Sequence, residues 1–115
     1  MKLYGIPNCN TVKKARTWLE ERQIDNIFHD FKKAGVNQHL LDNWLSQQPW
    51  EKLVNRGGMT WRKLDDDTKN NIVDNDSAAK LMLDKSSVIK RPILEKDGKI
   101  LAIGFQEDTY KELFK

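Results

Sequence analysis

Cysteine is nearly absent from this sequence: there is one, Cys9, in 115 residues. A single cysteine excludes an internal disulfide, and an odd thiol in a chain without an export signal is either a reactive group or a small core residue. Histidine is almost as scarce. His29 and His39 have no partners at ligand spacing, so no metal site is expected. No stretch approaches the ~20 apolar residues of a membrane helix, and the first residues lack the basic region and apolar core of a signal peptide. A cytoplasmic protein with no membrane partner is therefore expected. Charge of one sign is missing too. The longest acidic block is Asp65-Asp66-Asp67, and 20 basic against 17 acidic residues leave a net charge of +3, too little to imply nucleic acid as a partner.

What is present suffices for one folded domain over residues 1–115. Hydrophobic residues make up 38% and charged residues 32%, a balance that supplies a core and a solvated exterior. Internal repeats, low-complexity tracts and linkers are not found. Lys2-Leu3-Tyr4-Gly5-Ile6 alternates and closes at Pro7-Asn8, as a short strand does. Val12, Ala15, Trp18 and Leu19 then follow at helical spacing, with Asn10 or Thr11 as the N-cap. A second strand is expected within Ile24 to Phe31, completing a right-handed βαβ unit before the turn at Lys33-Ala34-Gly35.

From about residue 36 to 86 the periodicity is helical. Leu40, Leu41, Trp44 and Leu45 form one stripe behind Asn37 and end at Pro49, and Trp50 to Val54 reads as a short turn. Asp65 to Val73 has an acidic first turn, and Asp76 is placed to cap a helix holding Ala78, Ala79, Leu81, Met82 and Leu83. A strand pair follows: Val88 to Glu95, the turn Asp97-Gly98, then Ile100 to Ile103. Gly104 ends the pair, and Tyr110, Leu113 and Phe114 mark a closing helix. The order is βαβ, a helical block, ββ, α. That predicts a thioredoxin-like α/β fold whose mixed sheet carries a helical insertion between its two strand pairs.

Three segments carry candidate chemistry. Cys9 lies between the first strand and the first helix, where orphan backbone N–H groups and the helix dipole favour an anion, and Lys13 and Lys14 add positive potential. Pro92, in Lys90-Arg91-Pro92, can adopt a cis bond, and in thioredoxin-like folds this turn faces the active cysteine; alternatively it opens an edge strand. Arg91 is either an anion ligand or a solvated surface group. Asn55-Arg56-Gly57-Gly58-Met59-Thr60-Trp61-Arg62 is a glycine-rich bend whose amides either hold an anion or mark a flexible turn. The four tryptophans read as core packing.

Taken together, Tyr4 to Ala15, Asn55-Arg56 with Thr60-Trp61-Arg62-Lys63-Leu64, and Lys90-Arg91-Pro92 resemble the arsenate-reductase-like family over the whole length. The Thr-Trp-Arg-Lys-Leu segment and Gly104-Phe105 are most similar to its YffB branch. The resemblance implies that Cys9 is the nucleophile and forms a covalent or mixed-disulfide intermediate. Of three arginines that surround the oxyanion in family arsenate reductases, two match Arg56 and Arg91. The third falls near Gly104-Phe105, and the histidine preceding their cysteine is replaced near Gly5. The Spx-type regulators of the family often carry Cys-x-x-Cys and bind RNA polymerase. Here the second position is Val12, which excludes an intramolecular disulfide switch.

The resemblance thus implies a monothiol oxidoreductase using glutathione as co-substrate, with no permanently bound cofactor. Asn8, Asn10, Thr11, Arg56, Arg91 and Pro92 are its expected substrate- or glutathione-binding residues around catalytic Cys9. An arsenate reductase with an incomplete arginine site and an RNA-polymerase-binding regulator with a vestigial Cys9 are the alternatives. A monomer is expected.

Overall fold

The alternating opening of the chain becomes strand β1 (Lys2–Gly5) in a computed structural model that describes residues 1–115. Then come α1 (Asn10–Glu21), β2 (Ile27–Asp30) and the short α2 (Phe31–Ala34). A helical stretch follows as α3 (Gln38–Gln47), α4 (Trp50–Leu53), α5 (Met59–Arg62), α6 (Asp66–Asn70) and α7 (Asn75–Asp84). The chain closes with β3 (Ile93–Lys96), β4 (Lys99–Ile103) and α8 (Glu107–Leu113). Contacts divide it into two compact units, Met1–Ala34 with Arg91–Lys115, and Gly35–Lys90. No helix is long and apolar enough to cross a membrane.

The first unit is a four-stranded mixed sheet in the order β2-β1-β3-β4, the thioredoxin-like arrangement. Its β1 runs parallel to β2 and antiparallel to β3, and β3 and β4 form the expected hairpin. Asp97 (φ 53°) and Gly98 (φ 80°) both take positive φ, as a two-residue turn that matches strand twist requires. Leu3 and Leu94 pair across the sheet and pack with Ala15, Trp18 and Leu19 of α1 and Tyr110 of α8. Complete burial of each leucine contributes about 1.5–3 kcal/mol. Within this core the indole Nε1 of Trp18 and the hydroxyl of Tyr110 find no hydrogen-bond partner.

In the second unit, α3 and α7 bury Leu41 and Trp44 and Ala78, Ala79, Leu81 and Met82. Asn37 caps α3 through its side chain, which accepts from the Leu40 N–H at 2.8 Å. Ordering the segment further, Val54 bridges Ile89, the Asn55 N–H donates to the Val88 carbonyl at 2.7 Å and the Lys90 N–H to the Leu53 carbonyl at 2.8 Å.

Several local expectations are corrected. The N-cap of α1 is Cys9, so neither Asn10 nor Thr11 fills that position. Strand β2 spans only Ile27–Asp30, because the Ile24 N–H still bonds the Leu19 carbonyl and Phe31 begins α2. The cap of α7 is Asp74, whose side chain accepts from the Ser77 N–H at 2.8 Å while the Ser77 hydroxyl accepts from the Asp74 N–H at 3.1 Å; Asp76 lies within the first turn. Leu83 is exposed. Val88 and Ile89 are not part of β3, since their backbone pairs with residues 54 and 55. Pro92 precedes an interior strand, so the edge-strand reading fails.

Candidate active site

Where β1 ends, Gly5 is buried, and a Cβ there would sit 2.8 Å from Cγ2 of Val12. Only a residue without a side chain lets the first turn of α1 approach so closely, and that turn carries Cys9. Half-buried Cys9 adopts extended backbone angles (φ −99°, ψ 125°), and its carbonyl accepts from the Lys13 N–H at 2.9 Å, starting the helix. Its sulfur closes no tight capping hydrogen bond, but the backbone N–H groups of Val12 and Thr11 lie near enough to favour the thiolate.

Burial raises the pKa of this thiol. The Val12 and Thr11 amides, together with a hydrogen bond from Arg91 and its charge, outweigh burial and hold Cys9 below the ordinary cysteine value. The positive partner is therefore Arg91, more than eighty positions away in sequence. Lys13 and Lys14 border a groove along α1 instead.

Arg91 is half-buried and precedes buried Pro92 through a cis peptide bond. The Pro92 carbonyl accepts from the Gly104 N–H at 2.8 Å, which ties this turn to the end of β4. Gly104 takes φ 80°, and the Phe105 ring beyond it packs edge-on against Tyr110 at 4.7 Å. Where the resemblance puts the third arginine there is thus an aromatic ring with no hydrogen-bond donor to offer. Around the cysteine, Asn8 lies in an exposed turn and Asn10 and Thr11 have exposed side chains on the first turn of α1.

Arg56 belongs to the second unit, where its exposed guanidinium lies 5.3 Å from the Trp50 ring centroid. The bend beside it is internally satisfied. The Gly57 N–H donates to Oδ1 of Asn55 and the Gly58 N–H to its carbonyl, both at 3.2 Å, and a Cβ on Gly58 would collide with the Asn55 amide at 2.8 Å. These glycines build a turn around Asn55, so their amides are not the anion cradle that the sequence allowed.

Sequence reasoning missed one polar cluster. The Tyr4 hydroxyl donates to Oε1 of buried Glu95 at 3.2 Å, and the His29 ring centroid lies 4.8 Å from that of Tyr4. Burial first, and then the Glu95 carboxylate, push the Tyr4 hydroxyl up to about 12. The signal was available, because two-residue periodicity from buried Ile93 places Glu95 on the same sheet face.

With the geometry in place, residues 4–113 match the ArsC family. A solved YffB protein is 43% identical with a TM-score of 0.90, covering 96% of each chain. The solution structure of an arsenate reductase (ArsC) related protein from Brucella melitensis is 51% identical with a TM-score of 0.79, covering 99% of this chain and 93% of that one. An uncharacterized protein of Haemophilus influenzae is 41% identical over 97% of this chain and 96% of its own. At lower identity, the global transcriptional regulator Spx 1 of Lactococcus lactis matches at 27% over 95% of this chain and 84% of its own.

Proposed function

Because the chain belongs to the ArsC family, whose model spans residues 4–113, we propose that it is a monothiol oxidoreductase that uses glutathione as its second thiol. The observation that carries this reading is the Cys9 environment, in which helix-terminal amides and Arg91 stabilise a half-buried thiolate. The thiolate attacks the glutathionyl sulfur of a mixed disulfide, forming a bond from Cys9 to glutathione and releasing the other thiolate, which takes a proton from water. A glutathione thiolate then attacks the glutathionyl sulfur on Cys9. Oxidised glutathione leaves and the Cys9 thiolate is restored. The same stabilisation makes Cys9 a good leaving group in this second step.

Arg91 is the residue best placed to orient an anionic thiol donor, since it already touches the Cys9 sulfur. The family resemblance adds Arg56 as a second carboxylate anchor, Pro92 as the backbone alongside the disulfide, and Asn8, Asn10 and Thr11 as contacts around Cys9. Arsenate is a compact anion whose reduction needs dense positive charge near the attacked atom, and Phe105 supplies none. Arsenate turnover is therefore expected to be weak or absent. Similarity to Spx 1 favours a regulator as the second reading, yet buried Val12 stands where a Cys-x-x-Cys switch needs its second thiol.

Incubation with oxidised glutathione followed by intact mass measurement tests the chemistry, alongside arsenate assays supplied with glutathione and glutaredoxin. One glutathionyl adduct on Cys9, absent from Cys9→Ser and discharged by glutathione, is the expected result. Robust Cys9-dependent arsenate reduction would reverse the ranking of the two enzymes, and absence of both activities would favour the regulator.

A further inference from the structure

A groove of about 420 Å³ runs along α1, walled on one side by Lys13, Lys14, Thr17 and Trp18, with Glu21 and Arg22 at its far end, and on the other by Phe105 and Glu107. Both walls are rooted at the reactive loop. The Lys13 N–H bonds the Cys9 carbonyl at 2.9 Å, and Phe105 follows Gly104, whose N–H bonds the Pro92 carbonyl at 2.8 Å. From Lys13 to Arg22 the helix advances ~14 Å at ~1.5 Å per residue. Four extended residues at ~3.3 Å each would fill that length.

The lining states what kind of chain fits. Trp18, nine-tenths buried, and half-buried Phe105 give an apolar floor. Charge is uneven along the rim. The near half of the α1 wall has two exposed cations, Lys13 and Lys14, and no acidic residue, while Arg16 lies away from it over the Phe28 ring at 4.2 Å. Glu20 and Glu21 appear only at the far end, where Arg22 stacks on Trp18 at 4.0 Å, and Glu107 is paired with Lys111 at 3.7 Å. The end nearest Cys9 therefore presents Lys13 and Lys14 over an apolar floor, and the one carboxylate on the facing wall, Glu107, is engaged by Lys111. In the thiol-exchange reading glutathione is held at Cys9 and by arginines that do not line this groove, whereas the groove continues two turns of α1 beyond Lys13.

We propose that the groove receives an extended acidic polypeptide segment flanking the cysteine whose sulfur exchanges with Cys9, so that the substrate is a glutathionylated protein thiol. This rests on the thiol-exchange reading given above. The acidic side chains meet Lys13 and Lys14, and an apolar side chain lies over Phe105 and Trp18.

Two peptides test it, Glu-Leu-Glu-Cys-Glu-Leu-Glu and its lysine counterpart with Lys in place of each Glu, each carrying glutathione on the cysteine. The mixed disulfide of glutathione with 2-mercaptoethanol serves as the small substrate. The acidic peptide is expected to have a kcat/KM at least tenfold above the lysine peptide. Lys14→Glu and Thr17→Trp, both exposed on α1, should each lower the acidic-peptide value at least tenfold and leave the small substrate within twofold. Equal turnover of the two peptides, or groove variants without effect, overturns the proposal while leaving thiol exchange intact. Fluorescence anisotropy of the fluorescein-labelled, reduced acidic peptide on Cys9→Ser needs no chemistry. Binding that weakens at least tenfold in Cys9→Ser carrying Thr17→Trp supports the groove even if every disulfide assay is negative, and unchanged binding refutes it.

Discussion

At the start of α1 the amides of Thr11 and Val12 have a thiol to stabilise, whereas in the Asn55–Gly58 bend the amides of Gly57 and Gly58 are already held by Asn55. Both segments look alike in sequence, each a turn rich in N–H groups with a basic residue nearby. A donor matters to a ligand only when no local acceptor has taken it. Asn55 is such an acceptor, and Cys9 supplies the group that the free amides of its own helix end would otherwise seek in solvent. A thiolate is favoured at Cys9 because the donors there are unspent, and Arg91 adds a charge that the bend does not lend.

Removing Arg91 attacks that contrast most strongly. Arg91→Ala removes a hydrogen bond and a charge from the Cys9 thiolate, and with the side chain half-exposed the expected loss is about 1–2 kcal/mol, roughly five- to thirtyfold in glutathione-dependent kcat/KM. Arg56→Ala should instead raise KM for glutathione and leave the reactivity of Cys9 toward a neutral alkylating agent unchanged. Equal effects of both variants on that reactivity would erase the distinction between the two arginines. A smaller effect is expected at Asn55. Asn55→Ala breaks the side-chain bond to the Gly57 N–H and should lower stability by about 0.5–1.5 kcal/mol in urea denaturation, with no change in glutathione exchange. A gain in anion binding there, read by phosphate titration, would mean that Asn55 had been masking a second cradle.

The sequence made the frame of the site legible and left its partners obscure. A strand that alternates, a cysteine, and then Val12, Ala15, Trp18 and Leu19 at helical spacing place Cys9 at a helix start without any structure. Asp97-Gly98 announces the hairpin because its positive φ values suit few other pairs. The caps were harder, since Asp74-Asn75-Asp76-Ser77 offers several capping side chains in a row and only the reciprocal Asp74 and Ser77 bonds decide. Val88 and Ile89 read as strand because they are apolar and β-branched, yet their pairing with Val54 is long-range and leaves no local signature. For the same reason proximity in sequence pointed to Lys13 and Lys14 as the cations beside the thiol, when the fold brings Arg91 to it. The resemblance placed Arg91 among the residues around Cys9, and the structure adds that its side chain bonds the sulfur itself.

The pH dependence of Cys9 alkylation by iodoacetamide, measured side by side for the natural sequence and Arg91→Ala, tests the central claim most directly. The thiolate is present above the folded-state pKa and disappears as pH falls through it, so a lowered pKa moves the fall in rate toward acid. A midpoint below the free-cysteine value of ~8.5, displaced upward in Arg91→Ala, is the predicted result. A midpoint at or above that value in the natural sequence, unmoved by Arg91→Ala, would contradict a thiolate held by this site.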